Sequence, residues 1–202
     1  MSKVQVDTID TRSGTSTMQI GSTNTSTINI GVSGDTVNIP SGVTIANAGT
    51  ATGFGDNTPS FFVFRSGNQN ISDATTTKVE FNSEVFDTDN AFDSSTNYRF
   101  TVPSGEAGKY HFSYSVSCHA LSASELEIAD VYFYKNGSAV NEQSLDFRNN
   151  PVRRFCVTNS IILNLSVGDY VEVYGKIDDS SSTPKFDGES TYTTYFQGFK
   201  LL

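Results

Sequence analysis

A short phrase repeated four times near the start of the chain constrains the fold more than any other feature. The phrase reads MQIG at 18–21, INIG at 28–31, VNIP at 37–40 and VTIA at 43–46. Each copy places two apolar residues around one polar residue, which is the period-two pattern of a β-strand with one apolar face. The apolar positions are Met18, Ile20, Ile28, Ile30, Val37, Ile39, Val43 and Ile45.

These predicted strands are too short to bury their apolar face within one chain. Isolated strand pairs are marginal in water, and ordering each residue costs about 1–2 kcal/mol in conformational entropy. A disordered segment is the alternative, but disordered tracts are poor in Val and Ile. We therefore expect the stripes of several identical chains to pack around one axis, because repeats bury a continuous core by stacking. Such phrases resemble the β-prisms and triple-stranded β-helices of virus fibre shafts.

The composition divides the chain into three parts. Residues 1–45, which we call the stem, are small, polar and repetitive and contain no aromatic residue. Residues 46–60, the neck, are rich in Gly, Ala and Thr, which is typical of a linker. Residues 61–202, the head, hold nearly all of the 15 Phe and 9 Tyr of the chain. Their alternation between turn signals predicts an all-β sandwich of short strands.

The net charge of −9 argues against two classes of partner. Binding to nucleic acid requires dense positive charge, and the chain has no basic cluster beyond Arg153 and Arg154. The charge does not indicate a membrane surface either. The first residues, MSKVQVDTIDT, lack the apolar core of a secretory signal, and the run SIILNL is too short to span a bilayer. We expect a soluble protein made in a cytosol, with no nucleic-acid or membrane partner.

Two cysteines, Cys118 and Cys156, lie in apolar strand-like segments. A disulfide is feasible if the two strands are neighbours. A chain made in a cytosol more often keeps such residues as reduced, buried side chains. Both alternatives stay open at this point.

The head also carries a series of residues at defined spacings. Separated by five, four, seven and seven residues, the series reads Phe81, Asp87, Phe92, Phe100 and then Gly108-Lys109-Tyr110-His111-Phe112-Ser113-Tyr114. With KNG at 135–137, GD at 168–169 and the closing YFQGFKLL, it resembles the globular head domain of complement component one, subcomponent q. That family is a branch of the tumour-necrosis-factor-like jelly rolls. The gaps before Phe100 and Gly108 are longer than is usual there, which suggests longer turns.

The resemblance implies a ten-strand jelly roll that assembles as a tight homotrimer, with aromatic and aliphatic side chains along the three-fold axis. This agrees with the separate argument from the stem, which also requires several copies. Phe199, Leu201 and Leu202 become candidates for the core and the subunit interface. The signature residues expected in the head core are Phe81, Phe92, Phe100, Gly108, Tyr110, Phe112, Tyr114 and Phe199.

The sequence contains no persuasive catalytic constellation, so we expect no enzymatic activity, no cofactor and no metal. His111 lies between two aromatic residues and should face away from them, toward solvent or a hydrogen-bond partner. His119 follows Cys118, but one Cys and one His do not make a zinc site. Some relatives in the resembled family bind calcium, which makes the acidic loop a weak calcium candidate although its spacing fails the EF-hand pattern. Its ligands would be Asp87, Asp89 and Asp93.

The segment DDSSSTPKFDGES at 178–190 is a long polar hairpin loop. Phe186, with Tyr192 and Tyr195 nearby, could stack on a sugar while the polar side chains form hydrogen bonds. A variable surface loop without a ligand is the alternative. The residues of this possible receptor loop are Asp178, Asp179, Lys185, Phe186 and Asp187.

Together these patterns favour a structural virion protein, a homotrimeric bacteriophage tail fibre or spike whose jelly-roll head attaches to a host-surface glycan or protein. We expect it to assemble in the host cytoplasm and to dock on other virion proteins through the N-terminal segment SKVQVDTIDTRSGTS. A trimeric capsid decoration protein or head fibre fits the same patterns. A secreted lectin-like protein is less favoured because it needs an export signal.

Overall fold

The computed structural model describes Ile20 and residues 26–44, 57–180, 183–188 and 192–201. The chain divides into two units, Met1–Thr52 and Gly53–Leu202, and each is described by itself.

The described part of the first unit, residues 26–44, forms turns but no strand within the single chain. Asp35 closes one turn. Its backbone N–H donates to the Val32 carbonyl, and its carboxylate accepts from the Val32 N–H, both at 2.9 Å. The segment is therefore held locally, without a strand partner from the same described residues.

The apolar side chains of the stem are open to solvent in the single chain. Among the described residues their exposed fractions run from 46% at Ile39 to 78% at Val32. Met18 and Ile45 lie outside the described residues. Strand formation in the stem concerns an assembly of several chains, and it stays a prediction.

The described part of the second unit is all-β, with thirteen strands and no helix. The described residues therefore include no helix that is long and apolar enough to cross a membrane. The strands are β1 (Ser60–Phe64), β2 (Gln69–Asn70), β3 (Thr77–Lys78), β4 (Ser83–Asp87), β5 (Phe92–Asp93), β6 (Arg99–Thr101), β7 (Gly108–His119), β8 (Leu126–Lys135), β9 (Ser138–Asp146), β10 (Arg154–Leu165), β11 (Tyr170–Asp179), β12 (Lys185–Phe186) and β13 (Tyr195–Lys200).

The strands form two antiparallel sheets that make a jelly-roll sandwich, as predicted. In the first sheet the order is β2-β12-β7-β13-β1-β4, and β10, off this path, pairs with β7 along its whole length. In the second sheet the order is β5-β6-β11-β8-β9, with β3 also pairing with β11. The first and last strands, β1 and β13, lie side by side. Sequence-distant strands therefore become neighbours throughout the head.

The core between the sheets is dominated by aromatic rings. On β7 the side chains of Tyr110, Phe112 and Tyr114 alternate inward and are buried. Each large aromatic ring removes about 150–250 Å² from water, so these rings carry much of the stability of the head. The buried aromatic residues are Phe61, Phe81, Phe92, Phe100, Tyr110, Phe112, Tyr114, Phe133, Phe186 and Phe196.

Gly198 determines which aromatic residue of the last strand, Phe196 or Phe199, lies in this core. A Cβ at Gly198 would lie 2.4 Å from Phe112 Cδ1 and 2.9 Å from Phe61 Cε1, so a larger residue has no space there. Phe196 shares the inward face of β13 with Gly198 and is fully buried. Phe199 therefore points outward and is only half-buried, and its expected place in the core is wrong.

Candidate functional site

The outward side of the first sheet carries an aromatic surface. The register places Phe62 opposite Gln197 on β13 and opposite Phe86 on β4, so the outward side chains of three strands adjoin. Phe86 is 49% exposed. We call this surface the outer aromatic face, and its members are Phe62, Phe64, Phe86, Tyr192, Tyr195 and Phe199.

Four rings of the outer aromatic face, those of Phe62, Phe64, Tyr192 and Tyr195, contact one another. The ring centroid of Phe62 lies 5.4 Å from that of Tyr195, and that of Phe64 lies 4.7 Å from that of Tyr192. Such pairs contribute about 0.5–1.5 kcal/mol beyond area burial. A partly exposed aromatic cluster of this kind is a candidate interaction surface.

Toward β7 the outward face of the first sheet also carries polar and aliphatic side chains. His111 lies on this side, as alternation predicts, and its ring contacts Phe199 at 5.2 Å between centroids. The side chain is half-buried on this outward face, and its Nδ1 is buried and has no hydrogen-bond partner among the described residues. Ile162 lies opposite His111 on β10 and is 59% exposed.

The acidic loop uses its carboxylates to hold its own backbone. Asp87 accepts from the Phe92 N–H at 2.8 Å. Asp93 accepts from the N–H groups of Thr96 and Ser95, and these bonds hold its pKa well below the ordinary value. The described residues contain no group of three or more His, Cys, Asp or Glu placed to hold a metal. Asp87, Asp89 and Asp93 are therefore not brought together as a ligand set.

The possible receptor loop is largely built into the sandwich. Lys185 and Phe186 form β12, which pairs with β7 on one side and with β2 on the other. This pairing turns Phe186 inward, where its ring lies over Gly175 and is fully buried. Asp179 and Asp187 are also buried. Phe186 cannot stack on an external sugar, and that part of the loop prediction is wrong.

Asp187 is the centre of a buried polar cluster. Its carboxylate lies 3.0 Å from Arg154 Nη1, 3.7 Å from Lys185 Nζ and 3.4 Å from His119 Nδ1. The pKa of His119 is lowered because burial disfavours its charged form, against the opposite effect of Asp187. Removing one partner from a buried charge cluster is costly. The cluster therefore fixes the positions of β10, β12 and the end of β7 relative to one another.

A cavity of about 350 Å³ lies beside this cluster, and we call it the side cavity. One part of its wall is apolar, formed by Ile71, Leu121 and Pro184. The other part is polar, formed by Asn68, Asn70, Thr183 and Lys185. Of the five residues named for the receptor loop, Lys185 lines the described cavity, and Thr183 and Pro184 of the same 178–190 segment line it too. Nothing in the local sequence pattern marks Asn68, Asn70, Ile71 and Leu121, because they join the loop only through the pairing of β12 with β2 and β7.

The two cysteines lie on neighbouring strands but on opposite faces of the first sheet. Cys118 faces the core with Phe155 beside it on β10, whereas Cys156 pairs with Ser117 and is exposed. Burial raises the pKa of the Cys118 thiol. Because the two side chains point away from each other, they are not bridged.

Solved structures of two other proteins are similar to this chain. No curated protein matches the sequence. The globular domain of zebrafish complement 1qA protein is similar over 71% of this chain and 98% of its own, with 19% identity and a TM-score of 0.48. The Eiger TNF of S. frugiperda is similar over 73% of this chain and 94% of its own, with 9% identity and a TM-score of 0.53.

The sequence itself matches a family model over most of its length. The model for the C1q domain matches residues 60–201, which span the whole described sandwich from β1 to the end of β13. The spacing of Phe81, Phe92, Phe100 and the GKYHFSY segment is thereby accounted for. The chain belongs to the C1q-domain family.

Proposed function

We propose that the chain is a homotrimeric attachment protein of a bacteriophage virion, a short tail fibre or spike with the head as its host-binding end. The observation that carries the proposal is the presence of two uncovered apolar surfaces. One is the outer aromatic face, and the other is the set of exposed Ile and Val side chains in the stem. Both surfaces are suited to burial against further copies of the same chain.

The outer aromatic face supports a three-fold arrangement of heads. Around a three-fold axis, one surface patch of each subunit contacts a different patch of its neighbour. The trimer is then closed, and each of the three subunits has both patches covered. Exposed side chains such as Phe86 would then be buried at the subunit interface. This fits the enrichment of aromatic residues in the cores of protein interfaces. In this arrangement Phe199 belongs to the interface instead of the core of one subunit.

The stem supports the same number of copies. Its apolar residues alternate strictly at Ile28 and Ile30 and again at Val37 and Ile39. Three such chains wound together would place one stripe from each at a common axis. The stem would then connect the heads to the particle.

The buried charged groups of the head are consistent with a binding protein that has no catalytic role. Two buried carboxylates on the second sheet are paired: Glu172 with Lys78 at 2.5 Å, and Asp130 with Lys176 at 3.6 Å. Buried pairs of this type are consistent with a structural role for these carboxylates. The proposal therefore assigns the protein no catalytic residue.

Three heads on one stem multiply weak binding. Linked sites reach avidities about 10²–10⁴-fold above that of one site when their geometry allows simultaneous contact. A host surface presents the same group many times, so a trimer can use weak individual contacts.

Electron microscopy of the virion, labelled with an antibody against the head, tests the location. The proposal expects label at the tail. Label at the capsid surface would instead support the decoration protein or head fibre. A protein absent from the particle and found in the medium would overturn the virion assignment and favour the secreted lectin-like alternative.

A further inference from the structure

We infer that the side cavity binds a single pyranose ring of a surface glycan, with an N-acetylated hexosamine as its preferred sugar. This inference rests on the proposed attachment function, because it names the ligand that the head would recognise. The cavity lies between the strand pair β2–β12 and the turn that follows β7.

The wall of the cavity matches the two-sided surface of a sugar. A pyranose has an apolar face of C–H groups and a rim of hydroxyls that both donate and accept hydrogen bonds. The Asn70 amide and the Thr183 hydroxyl also donate and accept, and Lys185 donates. Ile71 and Leu121 supply an apolar wall for the C–H groups and for an acetamido methyl.

Two side chains of the polar wall, those of Asn68 and Lys185, are held in place before any ligand arrives. With its amide oriented to satisfy both neighbours, Asn68 donates from Nδ2 to Asp187 Oδ1 at 2.6 Å and accepts from Lys185 Nζ at 3.0 Å. The Arg65 guanidinium donates to the carbonyls of Gly67 at 2.9 Å and Asn68 at 3.2 Å. Fixed side chains lose little entropy on binding. The buried Asp187 cluster therefore positions the polar side chains of the cavity wall.

A backbone hydrogen bond links the segment after β2 to the segment before β12, and both segments contribute to the cavity wall. The Ile71 N–H donates to the Pro184 carbonyl at 3.0 Å, and β2 is further fixed by Gln69, whose Nε2 donates to the Lys78 carbonyl at 2.8 Å. The width of the cavity is therefore set by the sheet.

The size of the cavity limits the ligand. Small-molecule sites usually have volumes of about 300–1,000 Å³, and the side cavity, at about 350 Å³, is at the small end. It suits one ring and not a long oligosaccharide. None of its lining residues is aromatic, so a single site lacks stacking and binds weakly. Three copies in one trimer would compensate through avidity.

Saturation-transfer NMR on the full chain tests the inference, with N-acetylglucosamine, N-acetylgalactosamine and N-acetylmannosamine as probes and glucose for comparison. We expect transfer to the acetamido methyl of at least one N-acetylated sugar, and less transfer to glucose. Leu121→Arg places a long charged side chain at the cavity wall and should remove the signal. Val167→Arg, at a similarly exposed apolar position outside the cavity lining, should keep it.

The result that overturns the inference is equally clear. Either no transfer to any of the three N-acetylated sugars, or an undiminished signal in Leu121→Arg, would contradict a sugar site here. Thermal unfolding of both arginine variants should match the parent protein, since both positions are already exposed.

Adsorption to host cells separates this inference from the proposed function. We expect Leu121→Arg to lower adsorption by about tenfold or more, since three weakened sites act together. Equal adsorption of Leu121→Arg and the parent would remove the cavity inference and leave attachment standing. Sugar binding in the cavity without any adsorption would keep the cavity site and remove the attachment role.

Discussion

The stem and the head carry the same alternation of apolar and polar residues, but they differ in what lies opposite the apolar face. In the head, the inward side chains of β7 meet those of the second sheet, and Phe112 and Phe133 are fully buried. In the stem, Ile28 and Ile30 alternate in the same way and are 47% and 70% exposed. The pattern decides which side chains share a face. A second layer, from the same chain or from another copy, decides whether that face is buried.

Side-chain size explains why the head supplies its own second layer. Ten buried aromatic rings, among them Phe61 and Phe196, fill the space between its two sheets. The stem has no aromatic residue, and a stripe of single Ile and Val side chains buries little area per strand. Ordering each residue costs about 1–2 kcal/mol in conformational entropy. Burial of such a stripe offsets that cost only when the stripes of several copies pack together.

The largest expected effect separates the inward from the outward face of β13. Phe196→Ala removes a fully buried ring that contacts Phe61 at 5.0 Å between centroids. We expect the free energy of unfolding of the head to fall by about 3–5 kcal/mol, because a cavity remains in the core. Urea denaturation followed by tyrosine fluorescence measures it.

Phe199→Ala is the matched control for that change. Phe199 lies three residues later on the outward face and is half-buried in one chain. We expect a much smaller effect on head unfolding and a weaker association of subunits, seen as a lower mass on dilution. Equal destabilisation by the two variants would contradict the division of β13 into a core face and an interface face.

A second change tests whether the stem has a buried face at all. Ile28→Asp would place three carboxylates at the shared axis, and each costs several kcal/mol to desolvate. We expect the stem to become more than about tenfold more sensitive to protease, since 1.4 kcal/mol already corresponds to tenfold in an equilibrium. The thermal unfolding of the head should not change.

Thr27→Asp provides the control at the polar position next to Ile28, which the alternation places on the opposite face. Thr27 is exposed and polar, and in an assembled stem it would still face water. Protease sensitivity should therefore match the parent protein. If Ile28→Asp and Thr27→Asp behave alike, the stem has no ordered apolar face.

The smallest expected effect concerns the acidic loop of the head. Asp93 has its pKa lowered below the ordinary value of 3.8, chiefly by the N–H of Thr96. Its stabilising contribution is therefore present above about pH 4 and is lost as the pH falls toward its folded pKa. Asp93→Asn should cost about 1 kcal/mol or less at neutral pH, since the loop is solvent-accessible.

The pH dependence provides the check on Asp93. Thermal unfolding of the parent and of Asp93→Asn should differ most above pH 4, and the difference should shrink in stronger acid. A difference that grows as the pH falls would show that the carboxylate is destabilising in the folded state.

Local patterns predicted the parts of the head whose strands are long. The alternation Tyr110, Phe112, Tyr114 defined the inward face of β7, and the spacing of aromatic residues indicated the family. The prediction for the closing segment, which put Phe199 in the core, was wrong, because Phe196 is the buried residue and the two lie on opposite faces of one strand. Only the close approach of Phe112 to Gly198 decides which of them is inside.

Non-local pairing accounts for what the sequence did not predict. Phe186 lies in a polar loop, and its burial depends on β12 pairing with both β2 and β7. The strands of Cys118 and Cys156 are neighbours, but their register puts the two thiols on opposite faces. The side cavity joins residues near 70 and 184. Contacts over such distances leave no periodic signal in the chain.

The central claim is that apolar stripes in the stem are covered by other copies of the same chain. Multi-angle light scattering of the purified full chain at micromolar concentration tests it most directly. We predict a mass of about 66 kDa, three times the 21.9 kDa of one chain. A stably folded species of 21.9 kDa would contradict it.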